Sequence, residues 1–135
     1  MDWEFRSDQP IYTQLIQHMR AAIVSGIFEP GERLPSVRDM AMEAGVNPNT
    51  MQRALVDLER EELVFSQRTA GRFVTEDKER IRKEKLFLAK EQVDVFLTNM
   101  NKIGCTKEDI IRLLQQQVVK GTGSLTTTPS EQRHD

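Results

Sequence analysis

The run Ala44-Gly45-Val46-Asn47-Pro48 separates two short amphipathic stretches, and few folds accommodate such a junction. Gly45 can take the left-handed backbone that a helix C-terminus favours. Asn47 offers a side-chain oxygen as N-cap to the helix that follows. Pro48 sits at that helix's first position, where its missing N–H costs nothing. Upstream, Leu34-Pro35-Ser36 predicts the start of a preceding helix, with Ser36 as N-cap and Asp39 three residues on. Downstream, Leu63–Gln67 and Arg72–Thr75 have strand character around a tip at Thr69-Ala70-Gly71. Helix, tight glycine turn, helix and hairpin together predict a winged helix-turn-helix. Such a unit places its second helix in the DNA major groove.

The helix after Pro48 can be tested on a helical wheel. Met51, Ala54, Leu55 and Leu58 follow i, i+3, i+4, i+7 spacing and form one apolar stripe. At roughly 100° per residue, Asn49, Arg53, Val56 and Arg60 fall opposite, with Thr50 and Gln52 flanking them at the helix start. Amide side chains can bond adenine N6/N7, arginine can bond guanine O6/N7, and an apolar group can touch the thymine methyl. The outward face is therefore suited to reading base edges. The run Glu59, Glu61, Glu62 beyond it reads as a solvated helix end.

The flanking segments fill out the architecture. Residues 1–9 carry Trp3 and Phe5 and read as an arm that packs against the rest. Pro10 opens a helix with a stripe of Ile11, Leu15, Met19, Ala22 and Ile23, ending near Gly26, and Phe28-Glu29-Pro30-Gly31 reads as a turn. Residues 77–120 are predicted helical. Leu86, Ala89, Val93, Phe96 or Leu97, Met100 and Ile103 recur every three or four positions up to Gly104. Thr106 and Asp109 cap a second helix carrying Ile110, Ile111, Leu113, Leu114 and Val118. Two helices joined by so short a turn form an antiparallel hairpin. Its apolar surface exceeds what a lone pair can bury on itself, so part must cover the winged domain or meet a second subunit. The predicted fold is thus mainly α with a small β-hairpin. It comprises a winged helix-turn-helix at 1–76, a helical dimerisation region at 77–120, and a Gly/Ser/Thr-rich disordered tail at 121–135.

Composition narrows the function. At 135 residues there is room for one small domain and an appendage. No segment is long and apolar enough for a membrane span, and the start lacks a signal-peptide pattern, so a soluble cytoplasmic protein is expected. Cys105 stands alone, which excludes an internal disulfide and a cysteine-based zinc site and leaves it to pack as a small apolar residue. His18 and His134 are too scattered for a catalytic arrangement, and no phosphate-binding glycine loop or metalloprotease motif appears. Neither an enzyme nor a cofactor is expected. The net charge of −2 means that DNA affinity must rest on a few well-placed cations rather than on bulk attraction.

A set of motifs at fixed spacing runs from residue 10 to residue 76. It comprises Pro10-Ile11-Tyr12 with Gln14-Leu15, Gly26, Pro30-Gly31, Arg33-Leu34-Pro35-Ser36 and Arg38. It continues through Val46-Asn47-Pro48-Asn49-Thr50, Ala54-Leu55 and Leu58-Glu59 to Gly71 and Phe73-Val74. In these the chain resembles the GntR family of bacterial transcription regulators, and within it the short YtrA-like subgroup. The resemblance implies that Arg33, Ser36 and Arg38 meet DNA at the start of the second helix, with Arg38 reaching a base. It implies base or phosphate contacts from Asn49, Thr50 and Gln52, and a wing-tip approach to the minor groove at Gly71. Arg53 from the wheel, with Asn47 and Arg68, completes the candidate DNA-binding set. The chain departs from the wider family at Gln52, where arginine is common, with Arg53 one residue later. Pro48 also replaces an arginine, Thr69 replaces the first wing glycine, and Arg72 stands at the usual wing threonine.

The resemblance further implies a homodimer on an inverted-repeat operator in double-stranded DNA, repressing a local operon, often one for a transporter. Val93, Phe96, Leu97, Met100 and Ile103 on the long helix, with Leu114 and Val118 on the short one, are the candidate dimer residues. Two alternatives remain open at this point: a winged-helix module for protein–protein assembly, and an effector-gated activator. No effector, operator sequence or regulated gene is legible.

Overall fold

A computed structural model describes residues 1–120, so the expected disordered tail at 121–135 lies outside the described residues. The elements are α1 (Ile11–Val24), α2 (Val37–Ala44), α3 (Pro48–Arg60), β1 (Val64–Gln67), β2 (Gly71–Val74), α4 (Lys78–Lys102) and α5 (Lys107–Val119). They divide into a compact unit over Met1–Lys90 and a second that begins at Glu91.

In the first unit, the local signals act as the sequence predicts. Gly45 closes α2 at φ 73°, and the Val46 N–H donates to Ala41 O at 3.0 Å. Asn47 Oδ1 accepts from the Asn49 N–H at 2.7 Å and Pro48 starts α3. Ser36 Oγ accepts from the Asp39 N–H at 3.1 Å, capping α2. These caps fix the exit angle of α2 and the entry of α3. The stripe Met51, Ala54, Leu55 and Leu58 is then fully buried against Leu15, Met19 and Ile23 of α1 and Met40 of α2. Truncating a side chain such as Leu55 to Ala in a core this tight costs about 2–5 kcal/mol.

Ile11 does not join the stripe of α1; it remains more than a third exposed. It occupies the first turn at the rim of the apolar arc, while the polar Gln14 is buried in that arc. Burial of Gln14 is offset by hydrogen bonds to the arm. Its Oε1 accepts from the Arg6 N–H at 2.7 Å, and its Nε2 donates to Arg6 O at 2.8 Å and Gln9 O at 2.9 Å. The arm packs as expected: Trp3 and Phe5 bring their rings within 5.6 Å and 5.4 Å of the His18 ring.

The wing is an antiparallel hairpin pairing Val64 with Val74, Phe65 with Phe73, Ser66 with Arg72 and Gln67 with Gly71. Both strands begin and end within one residue of their predicted limits. A third segment, unanticipated by the sequence, lies along the other edge of β2. Leu34 N–H donates to Arg72 O at 2.8 Å, Gly31 N–H to Val74 O at 3.1 Å, and Val74 N–H to Glu32 O at 2.9 Å. The residues just before α2 are thereby tied to the wing.

The second unit contains the remainder of α4, the turn at Gly104 and α5, which together form a helical hairpin. A reciprocal capping box starts α5, with Asp109 N–H to Thr106 Oγ1 at 3.1 Å and Thr106 N–H to Asp109 Oδ2 at 3.0 Å. Those bonds, led by the one from the Thr106 backbone, hold the Asp109 carboxyl below its ordinary value. Val93, Phe96, Leu97, Ile103, Leu114 and Val118 are exposed, and Met100 is half-buried. Among the described residues, no helix is long and apolar enough to cross a membrane.

Candidate nucleic-acid interface

Three elements carry the candidate contacts: the entry to α2, the outward side of α3, and the wing. The described arginines fall into two groups. Arg6, Arg20, Arg60, Arg72, Arg80, Arg82 and Arg112 each pair with a carboxylate. Arg33, Arg38, Arg53 and Arg68 have no carboxylate partner among the described residues, and all four side chains are exposed. No lysine occurs before Lys78. An acidic chain can therefore present exposed positive charge along the helix-turn-helix and wing, because these four guanidinium groups are not paired with carboxylates.

Each of the four is positioned differently. Arg33 lies against the wing, its guanidinium packed over Gly71, where φ is 105°. Arg38 projects from the first turn of α2, close to the cap at Ser36. The Arg53 guanidinium carbon stands 4.2 Å from the centre of the Tyr12 ring, a cation–π contact that holds it toward the start of α1. Arg68 occupies the hairpin loop, whose turn is closed by Ala70 N–H to Gln67 O at 3.1 Å.

Asn49 is exposed at the start of α3, and Thr50 is half-buried beside it. The side-chain oxygen of Asn47 caps α3 and that of Ser36 caps α2. Arg60, on the outward face by the wheel, is tied to Asp57.

Gln52 is linked to the wing. Its Oε1 accepts from Arg72 Nη1 at 3.3 Å, while Arg72 Nε donates to Glu59 Oε2 at 2.8 Å. Ser66 Oγ donates to the same Glu59 oxygen. Gln52 and Glu59 are seven residues apart, hence on one side of α3, and Arg72 spans the two turns between them. Burial raises the Glu59 pKa, but the bonds from Ser66 and Arg72 and the charge of Arg72 outweigh it and hold the carboxyl below its ordinary value.

The reading of Glu59, Glu61 and Glu62 as a solvated helix end is thus corrected. Glu59 anchors the wing. Glu61 accepts from Arg20 Nε at 2.9 Å, and its carbonyl accepts from Arg80 Nε at 3.1 Å. Only Glu62 is exposed, at φ 64° in the turn to β1. Tyr12, Glu59 and Arg72 are the members of this region that the sequence reading did not select. The Gln52/Glu59 spacing was the available signal, but its partner is supplied by strand pairing and has no local mark.

Comparison with known proteins agrees with this geometry. Residues 11–74 match the family described as "Bacterial regulatory proteins, gntR family". The HTH-type transcriptional regulator YhcF of Bacillus subtilis (strain 168) is 38% identical over 111 residues, covering 82% of this chain and 92% of that protein. The HTH-type transcriptional repressor YtrA of the same organism is 36% identical over 106 residues, covering 78% and 82%. A solved structure of a GntR family transcriptional regulator from Listeria monocytogenes superposes with a TM-score of 0.78 at 38% identity, covering 83% of this chain and 98% of that one.

Proposed function

The chain belongs to the GntR family of bacterial regulatory proteins and is a sequence-specific DNA-binding transcriptional regulator, not an enzyme, and from that premise we propose that it is a homodimeric repressor. In this reading, residues 1–76 form the DNA-binding domain and residues 77–120 the dimerisation region, acting in the cytoplasm. The observation that carries the DNA-contact assignment is the set of carboxylate-free arginines: Arg33, Arg38, Arg53 and Arg68. Arg33 and Arg68 meet phosphate, whereas Arg38 and Arg53, with Asn49, Thr50 and Gln52, meet base edges. Gly71 permits close approach of the wing backbone, and the caps at Ser36 and Asn47 orient helix N-termini toward the phosphates.

The exposed apolar residues of the second unit support dimerisation. Val93, Phe96, Leu97, Met100 and Ile103 recur at helical spacing on α4, and Leu114 and Val118 on α5 supply a further apolar face. YtrA is named a transcriptional repressor, which supports repression as the sign of regulation here. The proposed target is a local operon, such as one for a transporter. The test is footprinting on the DNA upstream of the gene. Two half-sites about one helical turn apart, roughly 34–36 Å, are expected. A single unpaired half-site at saturating protein would overturn the reading.

A further inference from the structure

Gln52 is a base-facing candidate whose side-chain amide is hydrogen-bonded to another part of the protein, and the engagement has chemical consequences. A guanidinium has donors only, so the atom of Gln52 that meets Arg72 Nη1 at 3.3 Å must be the amide oxygen. The orientation of the amide is therefore dictated by its partner, even though oxygen and nitrogen are nearly isosteric. Arg72 is itself held, since its Nε is bound to Glu59 Oε2 at 2.8 Å and Ser66 holds the same oxygen. The chain of contacts runs from β1 through Glu59 and Arg72 to Gln52, with Arg72 and Glu59 largely shielded from solvent.

We propose that Arg72 is a positioning residue that turns the Gln52 amide so that it meets the DNA through its NH2 group, making Gln52 a reader of guanine rather than adenine. The inference rests on the reading that α3 lies in the major groove. Glutamine reads adenine with both ends of its amide: the oxygen accepts from N6–H and the nitrogen donates to N7. With the oxygen directed to Arg72, two N–H donors remain. Guanine offers them two acceptors, O6 and N7. Adenine offers N7 but sets its N6 amino group against a second donor, and cytosine presents a donor at N4. The expected order is guanine first and cytosine last.

Binding over a library of single-base-pair operator variants tests this with three full-length variants. Gln52→Met removes the amide and leaves Arg72 with Glu59, so the base pair at which it abolishes discrimination is the one Gln52 reads. The wild-type protein should prefer guanine over adenine there by about tenfold. Arg72→Met releases the amide, and the preference should move toward adenine at that base pair alone. Arg72→Lys keeps a cation for Glu59, yet one ammonium is too compact to reach Glu59 and Gln52 together. It should shift the preference in the same way while melting close to wild type, which separates positioning from loss of the wing.

A wild-type preference for adenine at that pair would overturn the proposal. So would a guanine preference unchanged in both Arg72 variants, or a Gln52→Met profile identical to wild type. Absence of any sequence preference at any position would instead remove the parent reading of α3, and this inference with it.

Discussion

Arg33 Nε stands 3.2 Å from the position that a β-carbon on Gly71 would occupy, so the guanidinium and the wing backbone are packed as one surface. The pairing of residues 31–34 with β2 brings them together, because it sets Arg33 opposite Phe73, two residues from Gly71 at the start of that strand. Two substitutions should therefore have related effects. Arg33→Ala should weaken binding to all DNA sequences about equally, because a phosphate contact carries no base information, and should reduce the salt slope by about 1. Gly71→Ala should displace the same guanidinium and also strain a backbone at φ 105°, at a cost of about 1–3 kcal/mol in stability. Salt titrations of both variants on operator and random DNA are the check. A loss confined to operator DNA would count against the phosphate role.

The Glu59–Arg72 contact makes the wing acid-sensitive in a direction set by the carboxyl. Its pKa in the folded protein lies below the ordinary value of 4.5, so the ionised form is preferentially bound by the fold. The contribution is fully present above 4.5 and is lost as pH falls through the lower, folded-state value. Glu59→Gln should remove this component. The difference in melting temperature between wild type and variant should shrink as pH drops below 4.5, and the protection factor of the Phe73 amide, corrected for the intrinsic pH dependence of exchange, should fall over the same range in the wild type. A difference that grows toward acid would show that the sign is wrong.

The turn, the caps and the buried side of α3 were legible because each is a local property. Gly45 needs only its own φ, Asn47 only the N–H of Asn49, and the stripe Met51, Ala54, Leu55, Leu58 only a helical repeat. The contacts that were not legible join residues distant in sequence. Arg72 meets Glu59 thirteen residues back and Gln52 twenty back. Gln14 is buried because the arm supplies its partners, and a polar residue within an apolar stripe gives no hint of that. Exposed candidates such as Asn49 and Arg38 came from face and family resemblance alone.

Base reading on α3 should be divisible into single positions. Asn49→Ala and Arg53→Ala should each relax preference at individual base pairs, by about 1–3 kcal/mol for a good bidentate contact, with little change in binding to random DNA. Arg53 rests on the Tyr12 ring at 4.2 Å, so Tyr12→Leu should relax the same base pair as Arg53→Ala, by about 0.5–1 kcal/mol. Unchanged library profiles for Asn49→Ala and Arg53→Ala would move the reading face elsewhere on α3.

Dimerisation should be separable from folding of the winged unit. Phe96 and Met100 lie four residues apart on α4, within the second unit, and the buried core of the first unit contains neither. Leaving such a stripe in water costs on the order of 25 cal/mol per Å² of apolar surface, which a second copy would recover. The double variant Phe96→Glu, Met100→Glu should sediment as a monomer with an unchanged winged unit, judged by the ring environments of Trp3 and Tyr12. It should lose operator affinity far more than half-site affinity, because the second half-site is then no longer bound at the high effective concentration that linkage provides. A variant that remains dimeric would place the interface elsewhere. The arm around Trp3 and Phe5 is the next surface to change, since its aromatic rings are only partly buried against the core.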